Sequence, residues 1–426
     1  MEVRLAYGEG GLPVRFADSC NVRVIEPIYI PRLPDEQRAV TDALRHPVGL
    51  PPLKDLVPSK GRVGIIVNDI TRATPTPLLL RCIIDELNQA DPSQIIIFIA
   101  LGSHRPATMD ELDSLLGPGI RDTYAIVQND AFDRSTQVEI GESAPGRRLW
   151  INRQLIECDL KILTGFIEPH FFAGYSGGGK AIMPGMAGLE TILNNHSADY
   201  VAHPSATWDV TRRNPIWEET RTAARAAGSI FLLNITLNRD KQITGVFAGD
   251  LDLAYSAGVA HVRRTAIVEV SDPFDIVVTT NSGFPLDRNL YQAVKGMSAA
   301  ARVVKPGGAI VIAAECRDGV PDGSMYSQIL HEAGSPAAIL AQLPNWKPPK
   351  LEQWQAQVQA QILMKADVFL YSEYLSPEQV REALLVPIRS VEETLQELVT
   401  RIGAAATICV LPEGPQTIPV LCQHSE

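Results

Sequence analysis

The sequence is short of positive charge. Its 38 lysines and arginines are outnumbered by 49 aspartates and glutamates, a formal balance of −11. That balance argues against the basic footprint that nucleic acid or an anionic membrane surface selects. It leaves a small acidic substrate open, because one local arginine or lysine overrides the global field. Cysteine is also sparse: Cys20, Cys82, Cys158, Cys316, Cys409 and Cys422 are scattered, with no CxxC pair. Such spacing fits reduced, mostly buried thiols in a cytosolic protein and speaks against a disulfide frame or a zinc site. No HExxH and no pair of histidines four apart occurs, so a zinc hydrolase lacks its usual ligand spacing. No apolar run approaches transmembrane length, and MEVRLAYGEGG has no apolar signal core. The expectation is a cytoplasmic globular enzyme whose partners include neither nucleic acid nor membrane.

What is present is a series of short, apolar, β-branched runs. They are Val63–Val67, Ile95–Ala100, Leu160–Leu163, Ile230–Ile235, Ile276–Thr279, Ala309–Ala313, Val368–Tyr371 and Thr407–Leu411. Continuous rather than alternating runs predict strands buried on both faces of a parallel sheet. The helical pattern Pro77–Gln89 between the first two runs predicts a βαβ unit. A chain of 426 residues favours two domains. The predicted class is α/β, with two α/β domains, mostly parallel sheets and an active-site cleft between them. The first domain is expected over 1–265, completed by 405–426 through the run TICVLPEG, and the second over 270–400. Several strands run straight into polar residues: Asn68-Asp69, Gly102-Ser103-His104, Glu168-Pro169-His170 and Asn281-Ser282-Gly283. Ligands of open α/β sheets sit at the carboxyl ends of strands, so these positions can converge on one crevice.

The richest stretch is GFIEPHFFAGYSGGGKAIMPGMAGLETILNNHS, Gly165–Ser197. Its segment Gly174–Ala181 nearly matches the phosphate loop G-x-x-x-x-G-K-[ST], but Ala181 stands where the Mg²⁺-binding hydroxyl belongs. Triphosphate hydrolysis is therefore disfavoured, and the glycines suggest either phosphate contact through backbone amides or a mobile surface turn. Lys180 reads as a phosphate ligand, a solvated amine or a covalent attachment point whose nucleophilicity rises with desolvation. His104 and His170 follow strands, where general bases tend to stand. His196 follows a helical run and Asn194-Asn195, which can orient it toward a metal. His203, before Pro204, reads as a turn residue. In DITRATPTP, Thr74 or Thr76 is expected to cap a helix; Asp69 and Arg72 read as a structural ion pair, or Thr71 and Arg72 as binding a ribose hydroxyl or a phosphate at the strand end. Gln292 and Lys295 lie on one helical face and suit a carboxylate.

Each of these signals is weak alone, but their order is specific. DITR, then GSHR, then EPHFFAGYSGGGKAIMPG, then NNHS, then YQAVKG resembles the nickel-dependent lactate racemase family, from about Asp69 to beyond Lys295. The resemblance implies two α/β domains and a nickel-pincer nucleotide, a nicotinate-derived mononucleotide whose two thiocarbonyl sulfurs and one pyridinium carbon hold nickel. It implies that Lys180 carries the cofactor through a thioamide, that His196 is the protein's nickel ligand, and that Asp69, Ile70, Thr71 and Arg72 hold the nucleotide. It implies that His104 and His170 are paired acid/base groups, and that Gln292 and Lys295, with Arg72, bind a 2-hydroxy acid. The implied reaction is racemisation or epimerisation by reversible hydride transfer, with cofactor-biosynthesis proteins as partners for delivery. Phe171, Phe172, Trp208, Arg288 and Tyr291 are candidates for contacting the substrate side chain; Arg288 and the segment Thr211–Pro215 read by default as surface charge. The alternative is a non-catalytic nucleotide-binding protein that uses the Gly174–Lys180 loop.

Overall fold

In the computed structural model, residues 1–321 and 323–422 are described, and the eight apolar runs all form strands. They build two six-stranded sheets. The first has the order Ile243–Gly249, Ile230–Leu237, Leu160–Phe166, Val63–Asn68, Ile95–Ala100, Ala125–Gln128; only its first pair is antiparallel. The second is parallel throughout, in the order Val386–Ile388, Asp367–Tyr371, Val304–Ala313, Phe274–Thr280, Thr407–Leu411, Asn21–Val24.

Both sheets are covered on both faces, which is why their strands read as unbroken apolar runs. On one face of the first sheet, Ile65, Val67, Ile97 and Ile99 pack with Leu79, Leu80 and Ile83 of the helix Thr76–Glu86. On the other face, Ile66, Phe98 and Leu163 belong to a core that continues through the helix Leu290–Ala301 into the second sheet. One apolar mass therefore joins the two sheets.

Two expectations about the chain's course need correction. The run Thr407–Leu411 does not complete the first domain; it pairs with Phe274–Thr280 in the second sheet, Ile276 opposite Ile408. Asn21–Val24 then adds to its other side, so the amino-terminal residues also belong to the second sheet. Ile408 and Val410 bury against Leu5, Val14 and Phe16 of the amino-terminal segment. The Asp275 carboxylate ties the strand in place by accepting the Thr407 amide and hydroxyl, at 2.9 and 2.8 Å. A strand apolar on both faces fits either sheet by composition, and long-range packing makes the choice. The second correction is local: neither Thr74 nor Thr76 caps the helix Thr76–Glu86 with its side chain. The Thr74 hydroxyl instead donates to Asn68 Oδ1 at 2.9 Å, tying the strand end to the following loop.

Deleting residues 1–24 should strip Leu5, Val14 and Phe16, each at most 5% exposed, from the second sheet. A loss of about 3 kcal/mol or more is expected from vacating such core positions, read as a lower urea midpoint. An unchanged midpoint would contradict this placement of the amino terminus.

Candidate active site

The carboxyl ends of the first sheet's central strands converge as their polar sequels suggest. Asp69 and Arg72 follow Val63–Asn68, and His104 follows Ile95–Ala100. His170 follows Leu160–Phe166 in a two-residue pairing with Gly174. These residues line one cavity together with Lys180 and His196, and the helix Leu290–Ala301 of the second domain closes it with Gln292 and Lys295. Two nominated residues stand apart. Ile70 is exposed and does not line the cavity. Thr71 also lies off it, but its amide and hydroxyl donate to Asp69 Oδ1 at 2.9 and 2.5 Å and so orient that carboxylate.

The three histidines are in three different states. His104 Nδ1 is hydrogen-bonded to Asp69 Oδ2, so Asp69 pairs with His104 rather than with Arg72. Burial pushes the Asp69 carboxyl up, but His104, Arg72 and Thr71 outweigh it and hold the group at about 2. With its Nδ1 proton on a carboxylate, His104 keeps the Nε2 lone pair free, the arrangement of a base held by an acid. His170 is the reverse: its Nδ1 accepts the Ala173 amide at 3.3 Å, which leaves the proton of the neutral ring on Nε2. Burial, then the charges of Lys180, Lys295 and Arg72, push His170 well below the usual imidazole range. His196 donates Nδ1–H to the Ile192 carbonyl at 3.1 Å, freeing its Nε2 lone pair. Burial and then Lys180 hold it at about 3. A neutral imidazole fixed by a backbone carbonyl is the form that binds a metal.

The lysines are shifted the same way. Burial, then Arg72 and Lys295, bring Lys180 down to about 7, while Glu168 pulls weakly upward. Burial and Arg72 bring Lys295 to about 8. Lys180 is thus an amine shifted toward its neutral, nucleophilic form, its Nζ 5.8 Å from the centre of the Phe172 ring.

The glycines before Lys180 serve packing more than ligand approach. Gly178 has φ +58°, and a Cβ there would lie 2.7 Å from the Tyr255 ring. A Cβ on Gly177 would lie 2.6 Å from Asn234 Oδ1, the atom that accepts the Gly178 amide at 2.7 Å. The Ser176 amide is likewise bound, to the Glu168 carbonyl at 2.9 Å. With these two amides engaged, the turn is a tightly seated support that delivers Lys180.

Among the described residues, no three His, Cys, Asp or Glu side chains converge on a metal position. A metal at His196 would therefore need donors brought by another group. A buried amine of lowered pKa, a buried imidazole with a free Nε2 and surrounding cations suit an anionic cofactor that supplies its own metal donors.

The second half of the chain adds residues the sequence reading did not nominate. Trp354 and Gln355, on the helix Gln353–Leu363, line the cavity. The Trp354 ring lies 4.8 Å from the His196 ring and its indole donates to the Tyr291 hydroxyl at 2.9 Å. Gln353, Gln355, Gln357 and Gln359 are all at most 2% exposed, so the alternating glutamines of QWQAQVQAQ were the available signal. Glu168 also lines the cavity. Phe171, Phe172 and Tyr291 do so as well, whereas Trp208 packs behind Phe171 and donates to Ser298 Oγ at 3.1 Å. Arg288 pairs at the surface with Asp318, Arg212 and Arg213 are exposed, and His203 holds a turn through the Ser205 amide.

Amine-directed labelling of the cofactor-free protein should modify Lys180 with a midpoint near pH 7, because the reactive form is the neutral amine; a midpoint near 10 would contradict its burial among cations. Gly178→Ala should destabilise the fold by roughly 2 kcal/mol or more, through a left-handed backbone and the clash with Tyr255, as read by thermal unfolding.

Comparison with known proteins gives a consistent result. Residues 7–209 match the Lactate racemase N-terminal domain family, and residues 270–419 match the Lactate racemase C-terminal domain family. The lactate racemase of Lactiplantibacillus plantarum is 36% identical over 384 residues, 89% of this chain and 90% of that protein. That of Thermoanaerobacterium thermosaccharolyticum is 35% identical over 386 residues, 90% of each. The structure of the lactate racemase apoprotein from Thermoanaerobacterium thermosaccharolyticum superposes with a TM-score of 0.92, covering 98% of this chain and all of that one at 32% identity. A Thermotoga maritima protein, at 16% identity and a TM-score of 0.68 over 92% of this chain and all of its own, shares the fold. With both halves matched and relatives this similar along nine-tenths of its length, the chain belongs to the lactate racemase family, a family of isomerases.

Proposed function

We propose that the protein racemises or epimerises a 2-hydroxy acid of the lactate type, using a nickel-pincer nucleotide held covalently by Lys180. The observation that carries this reading is the meeting, in one cavity, of the depressed Lys180 amine, the free Nε2 of His196 and the pair His104 and His170. When bound, that cofactor supplies a carbon centre that accepts a hydride and returns it, with nickel tuning its electron demand.

The rest of the work falls to the chain. Arg72 and Lys295 hold the substrate carboxylate, with Gln292 beside Lys295 as a neutral hydrogen-bonding partner. His104 takes the hydroxyl proton of one enantiomer through Nε2, while Asp69 retains the Nδ1 proton and steadies the imidazolium that forms. Loss of the hydroxyl proton and of hydride from the same carbinol gives a planar 2-keto acid, which turns while its carboxylate stays anchored. Restoring the proton to oxygen on the opposite face would require His170 in its imidazolium form, with the proton held by His104 passed on between turnovers; for the other enantiomer the two histidines would exchange roles. Burial and the neighbouring cations hold His170 neutral in the protein alone. Acylation of Lys180 removes one of those charges, and an anionic substrate screens Lys295 and Arg72.

Asp69 and Arg72 would face the nucleotide; Thr71 would contribute by orienting Asp69, and Ile70 through its backbone, given its exposed side chain. Delivery by cofactor-biosynthesis proteins and a reducing cytoplasmic setting complete the reading. The free thiols Cys20, Cys82, Cys158, Cys316, Cys409 and Cys422 support the latter, and among the described residues no helix is long and apolar enough to cross a membrane.

Co-expression with a nickel-pincer pathway should add mass to the Lys180 peptide and bring about one nickel per chain. An unmodified, nickel-free protein would overturn the reading. His104→Ala and His170→Ala should keep that mass yet lose about 10²-fold or more in turnover; loss of the cofactor in either would mean that base and ligand had been confused. Lys295→Ala should raise KM more than it lowers kcat, and an unchanged KM would remove it as carboxylate anchor.

A further inference from the structure

His196 ends a helix of only seven residues, Leu189–Asn195. So short a helix is marginal by itself, and its last carbonyls lack partners within it. Yet the imidazole depends on that final turn, since the His196 amide and Nδ1 both donate to the Ile192 carbonyl, at 3.0 and 3.1 Å. The two residues just before it are gripped by one ion pair, of a half-buried arginine and a buried glutamate. Arg147 Nε lies 2.8 Å from Glu219 Oε1, with the side chains 18% and 4% exposed. Arg147 Nη2 also donates to the Asn194 carbonyl, placing a cation at the negative end of the helix. Glu219 Oε2 accepts Asn195 Nδ2 at 2.9 Å, and the same amide reaches the Ile216 carbonyl at 3.1 Å. Ser143 Oγ donates to Glu219, and the Arg147 guanidinium stacks 3.7 Å over Tyr200.

We infer that the Arg147–Glu219 pair is a positioning clamp that sets the orientation and tautomer of His196. The inference rests on the reading of His196 as the metal-binding imidazole. Two observations separate it from ordinary core stabilisation. A buried ion pair adds little stability compared with apolar residues of the same volume, so its value lies in fixing geometry. Asn195 is completely buried, and its Oδ1 has no partner. An apolar residue there would avoid that cost, so what asparagine contributes is the amide donated to Glu219 and Ile216. From the opposite side the contacts are less directional. Phe172 meets the His196 ring edge-on at 5.2 Å and Trp354 lies tilted at 4.8 Å, both compatible with more than one rotation of the imidazole. Arg147 lies on the hairpin strand Arg147–Asn152 and Glu219 on the helix Pro215–Ala226. The clamp thus ties the imidazole to two elements whose side chains in the clamp do not enter the cavity.

The test uses Arg147→Met/Glu219→Leu, in which apolar side chains replace the pair and fold stability should be retained. In the cofactor-free protein, ¹⁵N-histidine NMR should show His196 as a single Nδ1–H tautomer in the parent and as a mixture in the double variant. In the cofactor-loaded protein, nickel release to a chelator should quicken about 10-fold or more, in the range of lost metal-ligand support, with the added mass on Lys180 intact. Parent-like tautomer and release in a folded double variant would overturn the clamp. Should that variant fail to fold, Asn195→Leu decides, since it cuts one link and removes an unpaired oxygen: faster release supports the clamp, parent-like release overturns it. A parent protein that takes up no nickel would instead overturn the cofactor reading, and the tautomer measurement would still judge the clamp.

Discussion

Positive charge gathered in a space with too little negative charge is the constraint on which this site depends. Among the described residues, Arg72, Lys180 and Lys295 share a cavity with only two carboxylates, Asp69 and Glu168, and Asp69 is committed to His104. Burial is the larger cause and repulsion adds to it, so four buried bases give up protons more readily: Lys180 is brought to about 7, Lys295 to about 8 and His196 to about 3, and His170 is held well below the usual imidazole range. Burial and repulsion together thereby leave a nucleophilic amine and two neutral imidazoles in one cavity. The same cause favours anions, since a phosphate or a carboxylate relieves the repulsion that the protein alone must sustain.

Sustaining it requires rigid surroundings. Lys180 is delivered by a turn locked between Tyr255 and Asn234, and His170 is bent back by its pairing with Gly174. His196 hangs from a short helix that is held from outside. These supports lie in the first domain, whereas Gln292, Lys295, Trp354 and Gln355 come from helices of the second. The cavity exists because one apolar core runs between the sheets and holds the two halves in register. The Trp208 indole bound to Ser298 and the Gln357 amide bound to the Ala198 carbonyl, at 2.8 Å, fasten the halves beside the site.

Much of this was legible in the chain. All eight apolar runs became strands, and the polar residues following three of them met in the cavity. The asymmetry between the histidines was not legible, because it depends on which ring nitrogen meets Asp69, Ala173 or Ile192 in space. Trp354 and Gln355 were missed because a helix carrying a glutamine at every second position has no simple polar face. The glycines before Lys180 pointed to a phosphate, but their freedom is used to seat the turn against Tyr255 and Asn234. Ile70 stood within a site motif and yet turned outward, since a motif records neighbours along the chain and not side-chain direction.

The sequence by itself determined the local elements, the buried strands and the order of chemically capable residues, because these depend on apolar periodicity and on motifs that need no partner. Only the tertiary structure decided that Thr407–Leu411 and Asn21–Val24 join the second sheet. It alone decided, too, that Asp69 orients His104 and that the lysines are driven toward neutrality. Strand membership follows from which core a two-faced apolar strand completes, and proton affinity follows from distance and burial. Both are set by residues far apart in the chain, and no stretch of sequence carries them.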